Sequence, residues 1–239
     1  MSRLLLIRHG QASFHGNNYD QLSEVGHRQA QALADWLLQV DEQIDAVYVG
    51  TKRRQQETHA GVATKLASAG RSLPPVCVLP ALDEVKFETI VRTLLKERHT
   101  DHEELQRLGR EYLSVNDAEE KPRAFTRLAQ AVAHVWLDET DPISGSELWP
   151  EFRQRVLAGC AKIRAEVGSG KTVAVFTSAG PISAIVQQAL GCDSPTTIRM
   201  WWKLANASLT ELLFTESQLT LKSYNALPHL PDPRQWTYL

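Results

Sequence analysis

Residues Leu4–Gln11 read LLLIRHGQ: four apolar residues run straight into an arginine, a histidine and a glycine. A continuous apolar run this short, Leu4 to Ile7, suits a strand buried on both faces, as in parallel sheets. In open α/β sheets, ligands bind beyond the carboxyl ends of the strands. A guanidinium beside a titratable imidazole at that edge raises the question of what would want both. Position alone leaves two readings of Arg8 and His9. They serve an ordinary core through a carboxylate partner and a carbonyl hydrogen bond, or they belong to a site.

The segments downstream supply the rest of the sheet. After a polar loop, LSEVGHRQAQALADWLLQV has helical spacing, with Ala30, Leu33, Ala34, Leu37 and Leu38 on one face and Ser23 as its cap. DAVYVG reads as the second strand, TKRRQQETHAGVATKLASAG as a helix stopped by Gly70, and PPVCVLPAL as the third strand. From Lys86 to Asp138 the chain turns charged and helical, without further strand patterns. LWPEFRQRVLAGCAKIRAEVG is a helix, TVAVFT the fourth strand, and GPISAIVQQALG a helix with Pro181 in its first turn. ASLTELLF and LTLKSYN close the chain as two more strands. Strands alternating with helices predict an α/β fold, a three-layer α/β/α sandwich with a largely parallel central sheet. We expect a single domain over 1–239, with 86–138 as a helical insertion that forms a lid over the strand ends.

Composition narrows the function. The 239 residues carry 26 basic and 28 acidic side chains, a net charge of −2, which argues against general nucleic-acid binding. Cys77, Cys160 and Cys192 are widely spaced, odd in number and without a CxxC pair, so neither a zinc site nor a disulfide framework is expected. Buried thiols in a reducing cytosol are the expectation. The amino terminus lacks a signal-peptide pattern, and no apolar stretch reaches the roughly 20 residues of a membrane span. The chain is therefore expected to be cytoplasmic, with neither membrane nor nucleic acid as a partner. Its oligomeric state is left open.

Two more strand ends carry charge. Lys52, Arg53 and Arg54 begin a helix, where the macrodipole disfavours cations. Solvation accounts for Lys52 and Arg53, whereas one arginine of the run is free to face an anion. Glu84, just past the third strand, is placed to act as a general acid. Three successive strand ends thus carry Arg-His, Arg and Glu.

These residues resemble the histidine phosphatase superfamily, also called phosphoglycerate mutase-like. Arg8-His9-Gly10 matches its Arg-His-Gly signature, and LSEVGHRQAQALADWL resembles its Leu-Thr-x-x-Gly-x-x-Gln-Ala helix. RRQQETHA is similar to its Arg-Ala-x-x-Thr segment, where the step to Thr58 selects Arg54 as the second phosphate arginine. LDEVKF resembles the segment of its acidic residue, at Glu84, and SELWPEFRQRV its Gly-Glu-Ser segment, with Glu147 kept. The resemblance implies a phosphomonoester hydrolase, metal-independent and without a cofactor. His9 would be the nucleophile, passing through phosphohistidine, and Glu84 the proton donor. Arg8, Arg54, His15, Ser178 and Ala179 would bind phosphate. The substrate would be a phosphorylated small molecule or a phosphoprotein.

Departures from the family pattern bear on rate. The second histidine of the family, in a Ser-His-Gly-Gly segment, is matched here by Ser178 in FTSAGPI. A hydroxyl donates one hydrogen bond but carries no charge. A charge-assisted bond contributes roughly 1.5–3 kcal/mol, so slow turnover is expected. His15 stands where the family often has asparagine, and Gly50-Thr51 replaces Ser-Pro. The pattern after Arg-His-Gly in the glycolytic mutases is absent, which weighs against a mutase. Two rivals follow. One is a binding or interaction module of the same fold that has lost turnover. The other is a serine esterase with Ser178, Asp193 and His229 in hydrolase order. His99 and His102 have near metal-ligand spacing but lie in the charged insertion, where a solvated surface is expected.

Overall fold

The computed structural model describes residues 1–13, 20–98, 102–117 and 120–238, apart from the side chains of residues 97 and 98. The Leu4–Ile7 run lies in β1 (Ser2–Arg8), flanked on both sides and without solvent contact at Leu4, Leu6 and Ile7. The other strands are β2 (Ala46–Val49), β3 (Val76–Val78), β4 (Thr172–Thr177), β5 (Leu209–Phe214) and β6 (Leu219–Ala226). They form one six-stranded sheet in the order β3-β2-β4-β1-β5-β6. β1, β2, β3 and β4 pair in parallel, and β5 runs antiparallel to both β1 and β6. Register sets Arg8 opposite Thr177 at the carboxyl ends of the two central strands.

The pleat sends alternate side chains to opposite faces. Ile7, Val47, Val49, Ala174 and Phe176 meet helices α1 (Glu24–Gln39) and α2 (Arg53–Ser68) through Ala30, Leu33, Leu37, Val62 and Leu66. Leu4, Leu6, Tyr48, Val173 and Val175 face the other layer. That layer holds α6 (Trp149–Val167), α7 (Ala179–Leu190) and α8 (Ser194–Trp201). The expected three-layer sandwich with a largely parallel sheet is the fold.

The 86–138 region contains α3 (Phe87–Thr93), a π-helical turn (Leu94–Arg98), α4 (Glu103–Ser114) and α5 (Glu120–Asp138). Ile90, Leu94, Leu105, Leu108, Leu128, Val132 and Trp136 join the same apolar cluster as Leu4, Leu6 and Phe152. These helices therefore share the domain core. Among the described residues no helix is long and apolar enough to cross a membrane.

Three readings need correction. The third strand covers only Val76–Val78, because Pro80 starts a 3-10 turn (Pro80–Leu82) that ends the extended run. As the edge strand it leaves Cys77 exposed, and only Cys160 of the three thiols is buried. The helix after β4 begins one residue before the stretch read for it, at Ala179 with Ser178 as its N-cap, and Pro181 keeps its expected place in the first turn.

Two close approaches position the first strand's loop. A Cβ on Gly10 would lie 2.6 Å from the Gly26 carbonyl oxygen, and one on Gly26 would lie 2.2 Å from that of Gln11. The start of α1 can reach the loop after β1 only because both residues lack side chains. Ser23 caps that helix as expected, its side chain accepting from the Gly26 N–H at 3.1 Å.

Candidate active site

His9 leaves β1 with its backbone held on both sides. Its N–H donates to the Thr177 carbonyl (2.9 Å), and its own carbonyl accepts from the Ala207 N–H (3.0 Å) and Asn206 Nδ2 (3.4 Å). The ring is 5 % exposed. Nδ1 lies 2.8 Å from the Gly10 carbonyl oxygen. A carbonyl can only accept, so Nδ1 carries the proton and Nε2 keeps its lone pair. That lone pair accepts from Arg54 Nε at 3.1 Å. Burial, then the charge of Arg54, then that of Arg8, hold the imidazole well below its ordinary value. His9 is a neutral ring with a fixed tautomer and a directed lone pair.

Both arginines are buried, each 8 % exposed. Arg54 is the second residue of α2. Its backbone carbonyl accepts from Thr58 Oγ1 (2.7 Å), and the same oxygen of Thr58 accepts the Gly10 N–H (3.0 Å). Thr58 thereby ties the Arg54 helix to the His9 loop. Arg54 Nη1 donates to Asp20 Oδ1 (2.7 Å), while Asp20 Oδ2 accepts the Arg53 N–H (3.0 Å). An acidic side chain at the start of α2 offsets the cations that the macrodipole disfavours there. Arg8 donates to the carbonyls of Leu204 and Tyr238 (3.0 Å to the latter).

Glu84 approaches from the loop after β3. Its Oε2 accepts from the Gly180 N–H (3.0 Å) and its Oε1 from the Val85 N–H (3.1 Å). Burial raises its pKa above the ordinary carboxylate value, against the opposing pull of these bonds, of Arg54 and of Arg8. A Cβ on Gly180 would fall 2.2 Å from Glu84 Oε1 and 2.7 Å from the Trp201 ring, so glycine is what admits the carboxyl to the start of α7.

Ser178 is fully buried and follows Thr177, which pairs with Arg8 across β1–β4 and whose carbonyl accepts the His9 N–H. Its Oγ accepts from Gln55 Nε2 at 2.8 Å. Ala179 opens α7 and is also buried. Arg8, His9, Arg54, Glu84, Ser178 and Ala179 thus gather at one edge of the sheet. His15 lies outside the described residues. Beside Glu84 opens a cavity of about 330 Å³ lined by Lys52, Pro80, Asp83, Lys86, Gly145, Ser146, Glu147 and Arg155. Glu147 is held by both Arg155 Nε and Nη2 at 2.7 Å. Lys52, read from sequence as solvated, is a wall of this cavity, whereas Arg53 pairs with Glu57 at 2.6 Å as a surface cation would.

Rival arrangements do not assemble. Asp193 caps α8 through the Thr196 N–H (2.7 Å), and both ring nitrogens of His229 are buried without a hydrogen bond among the described residues, so no Ser178 triad forms. His102 is exposed and His99 lies outside the described residues. Among the described residues no group of three His, Cys, Asp or Glu side chains could hold a metal.

Sequence reasoning missed Gln55, Asp20 and Asn206. Gln55 alone left a sequence signal, a long polar side chain where the resembling motif has alanine. Asp20 and Asn206 carried none, because their partners come from distant segments.

The model of the histidine phosphatase superfamily (branch 1) matches residues 4–141 and 114–227. A 2,3-bisphosphoglycerate-dependent phosphoglycerate mutase from Methylorubrum populi is 28 % identical over 205 residues, covering 82 % of this chain and 83 % of that protein. The structure of a phosphoglycerate mutase from Bacillus anthracis superposes with a TM-score of 0.62 at 21 % identity, over 96 % of this chain and 95 % of that one. A mutant phosphoserine phosphatase from Entamoeba histolytica, in complex with phosphoserine, superposes with a TM-score of 0.63 at 18 % identity, over 96 % and 100 %.

Proposed function

The chain belongs to the histidine phosphatase superfamily, branch 1, and on that premise we propose that it is a phosphomonoesterase working through a phosphohistidine on His9. The observation that carries the proposal is the state of His9. It is a neutral imidazole with Nδ1 bonded to the Gly10 carbonyl and Nε2 turned toward Arg54. Phosphate entering between Arg54 and Arg8 takes over the Arg54 N–H groups and frees the Nε2 lone pair. Nε2 then forms a bond to phosphorus as the bond to the leaving oxygen breaks. The arginines hold the equatorial oxygens, where charge gathers during transfer. Glu84, which burial keeps protonated to higher pH, gives its proton to the leaving oxygen. Water then attacks phosphorus, Glu84 takes a proton from it, and His9 is released as the neutral ring. Ser178 and Ala179 complete the phosphate-binding set among the described residues; His15 is assigned to it from the resemblance alone.

The cavity beside Glu84 lies where the leaving group must go. Glu147 is paired with Arg155, and Asp83 is bonded to Thr51 through its N–H (2.5 Å) and hydroxyl. Among the described residues Lys52 and Lys86 take part in no ion pair. The leaving group we assign is therefore small, polar and anionic. The start of the 86–138 insertion supplies Lys86, which is how that region shapes the site.

The test is hydrolysis of p-nitrophenyl phosphate by wild type and His9→Ala, with trapping of the phosphoenzyme under alkali, where phosphohistidine survives. Activity and trapped phosphate that both disappear in His9→Ala support the reading. Equal inertness of the two proteins transfers the case to the binding-module alternative. Because the Methylorubrum relative is a mutase, transfer to phosphoglycerate is measured beside transfer to water. Water is the expected acceptor.

A further inference from the structure

Three departures from the family motif meet at one side chain. Gln55 occupies the place of alanine, Gly50 the place of serine, and Ser178 the place of histidine. Gln55 is fully buried. Its Nε2 donates to Ser178 Oγ (2.8 Å) and to the Leu82 carbonyl (3.3 Å), and its Oε1 accepts the Lys52 N–H (3.3 Å). A flipped amide would set oxygen against the Leu82 carbonyl, so these partners fix its orientation. A Cβ on Gly50 would lie 2.0 Å from Gln55 Oε1. The glutamine therefore needs glycine at position 50, and the substitutions at 50, 55 and 178 form one packed unit.

The direction of the hydrogen bond matters most. An amide nitrogen has no lone pair to give, so Ser178 Oγ is the acceptor and its own proton is not spent on Gln55. Ser178 caps α7 without a side-chain bond to that helix. Its hydroxyl proton has no acceptor among the described residues, although the residue is fully buried and follows Thr177, whose carbonyl accepts the His9 N–H. The Leu82 carbonyl adds a second restraint: it also accepts from Thr177 Oγ1 (2.6 Å), so Gln55 joins the Arg54 helix, the β4 end and the loop leading to Glu84.

We propose that Gln55 is a positioning residue that holds Ser178 as a neutral donor to the bound phosphoryl group, the pair replacing the family's second histidine. The inference rests on the phosphoryl-transfer reading of the site. The donor so formed does not titrate, and it strengthens as charge builds on the phosphoryl oxygens.

The test is a double-mutant cycle with Ser178→Ala and Gln55→Met, the latter an unbranched side chain of similar length without the amide. Each single change is expected to lower kcat/KM for p-nitrophenyl phosphate by about 10- to 100-fold. The double variant should lose little more than Ser178→Ala, because Gln55 reaches the phosphoryl group through the hydroxyl. Ser178→Thr should keep most of the activity. Ser178→His should gain only when joined to Gln55→Ala, which vacates the space. Losses that multiply, a Gln55→Met enzyme at wild-type rate, or a full gain from Ser178→His alone would overturn the assignment. Orthovanadate affinity, read by tryptophan fluorescence on the same proteins, repeats the cycle without turnover. A wild type that binds vanadate with this coupling yet hydrolyses nothing overturns the phosphatase reading and supports the Gln55–Ser178 pair. A wild type that binds no vanadate overturns both.

Discussion

Substituting Gly180→Ala probes the proton donor without touching its chemistry. The new Cβ would sit 2.2 Å from Glu84 Oε1 and 2.7 Å from the Trp201 ring. To restore even 3.0 Å the carboxyl must retreat by about 0.8 Å. Trp201 resists yielding instead, because its ring stacks with both Phe152 and Trp202. The retreat lengthens the Gly180 N–H bond to Oε2 and moves the acid off the leaving oxygen. A misplacement near 1 Å costs about 100-fold in rate. The overpacking itself costs roughly 1–3 kcal/mol of stability. The assay compares kcat/KM for an alkyl phosphate, whose leaving oxygen needs a proton, with p-nitrophenyl phosphate, whose leaving group departs without one. The alkyl ester should lose about 100-fold and the aryl ester far less. Equal losses on both esters, with the protein folded by circular dichroism, would refute the placement of Glu84 as the acid. So would an unchanged alkyl rate.

Arg54→Lys keeps the charge but loses the N–H that meets His9 Nε2 and the planar fork for phosphate, and kcat/KM should fall about 10- to 100-fold in a steady-state assay. Lys52→Ala and Lys86→Ala should each raise KM about 3- to 5-fold for esters with anionic leaving groups and leave neutral esters unaffected, since one charge is half-buried and the other exposed. His229 is buried with both ring nitrogens unpartnered among the described residues, and burial lowers its pKa from 6.5 to about 4. The folded state thus resists protonation that the unfolded chain accepts, so stability is intact above about pH 6.5 and is lost as pH falls toward about 4. Urea titrations across that window should show wild type losing about 3 kcal/mol more than His229→Leu. Matching pH profiles would show that His229 takes up its proton as readily in the fold as in the unfolded chain.

The sequence by itself determined the order of strands and helices, because the period of its apolar residues switches between buried runs and helical faces. It also determined which charged and titratable groups stand at three strand ends. Arg8, His9, Arg54 and Glu84 are local to their own elements, and each follows a recognisable strand or begins a helix. Their convergence needed the tertiary structure, since β1, β2 and β4 are neighbours in the sheet while far apart in the chain. The same holds for groups whose partners come from distant segments. Asp20 gains its role from meeting Arg54 and the start of α2, and Lys52 from the wall it shares with Lys86 and Arg155. Cys77 was misread because apolar character alone cannot say which strand is at the edge. Ser178 is the sharpest case. Sequence showed the loss of an imidazole, and only packing decided that an amide 123 residues away donates to the hydroxyl oxygen, whose proton then has no acceptor among the described residues. Hydrogen-bond direction is a property of two groups held at a distance, and no single position in a chain encodes it.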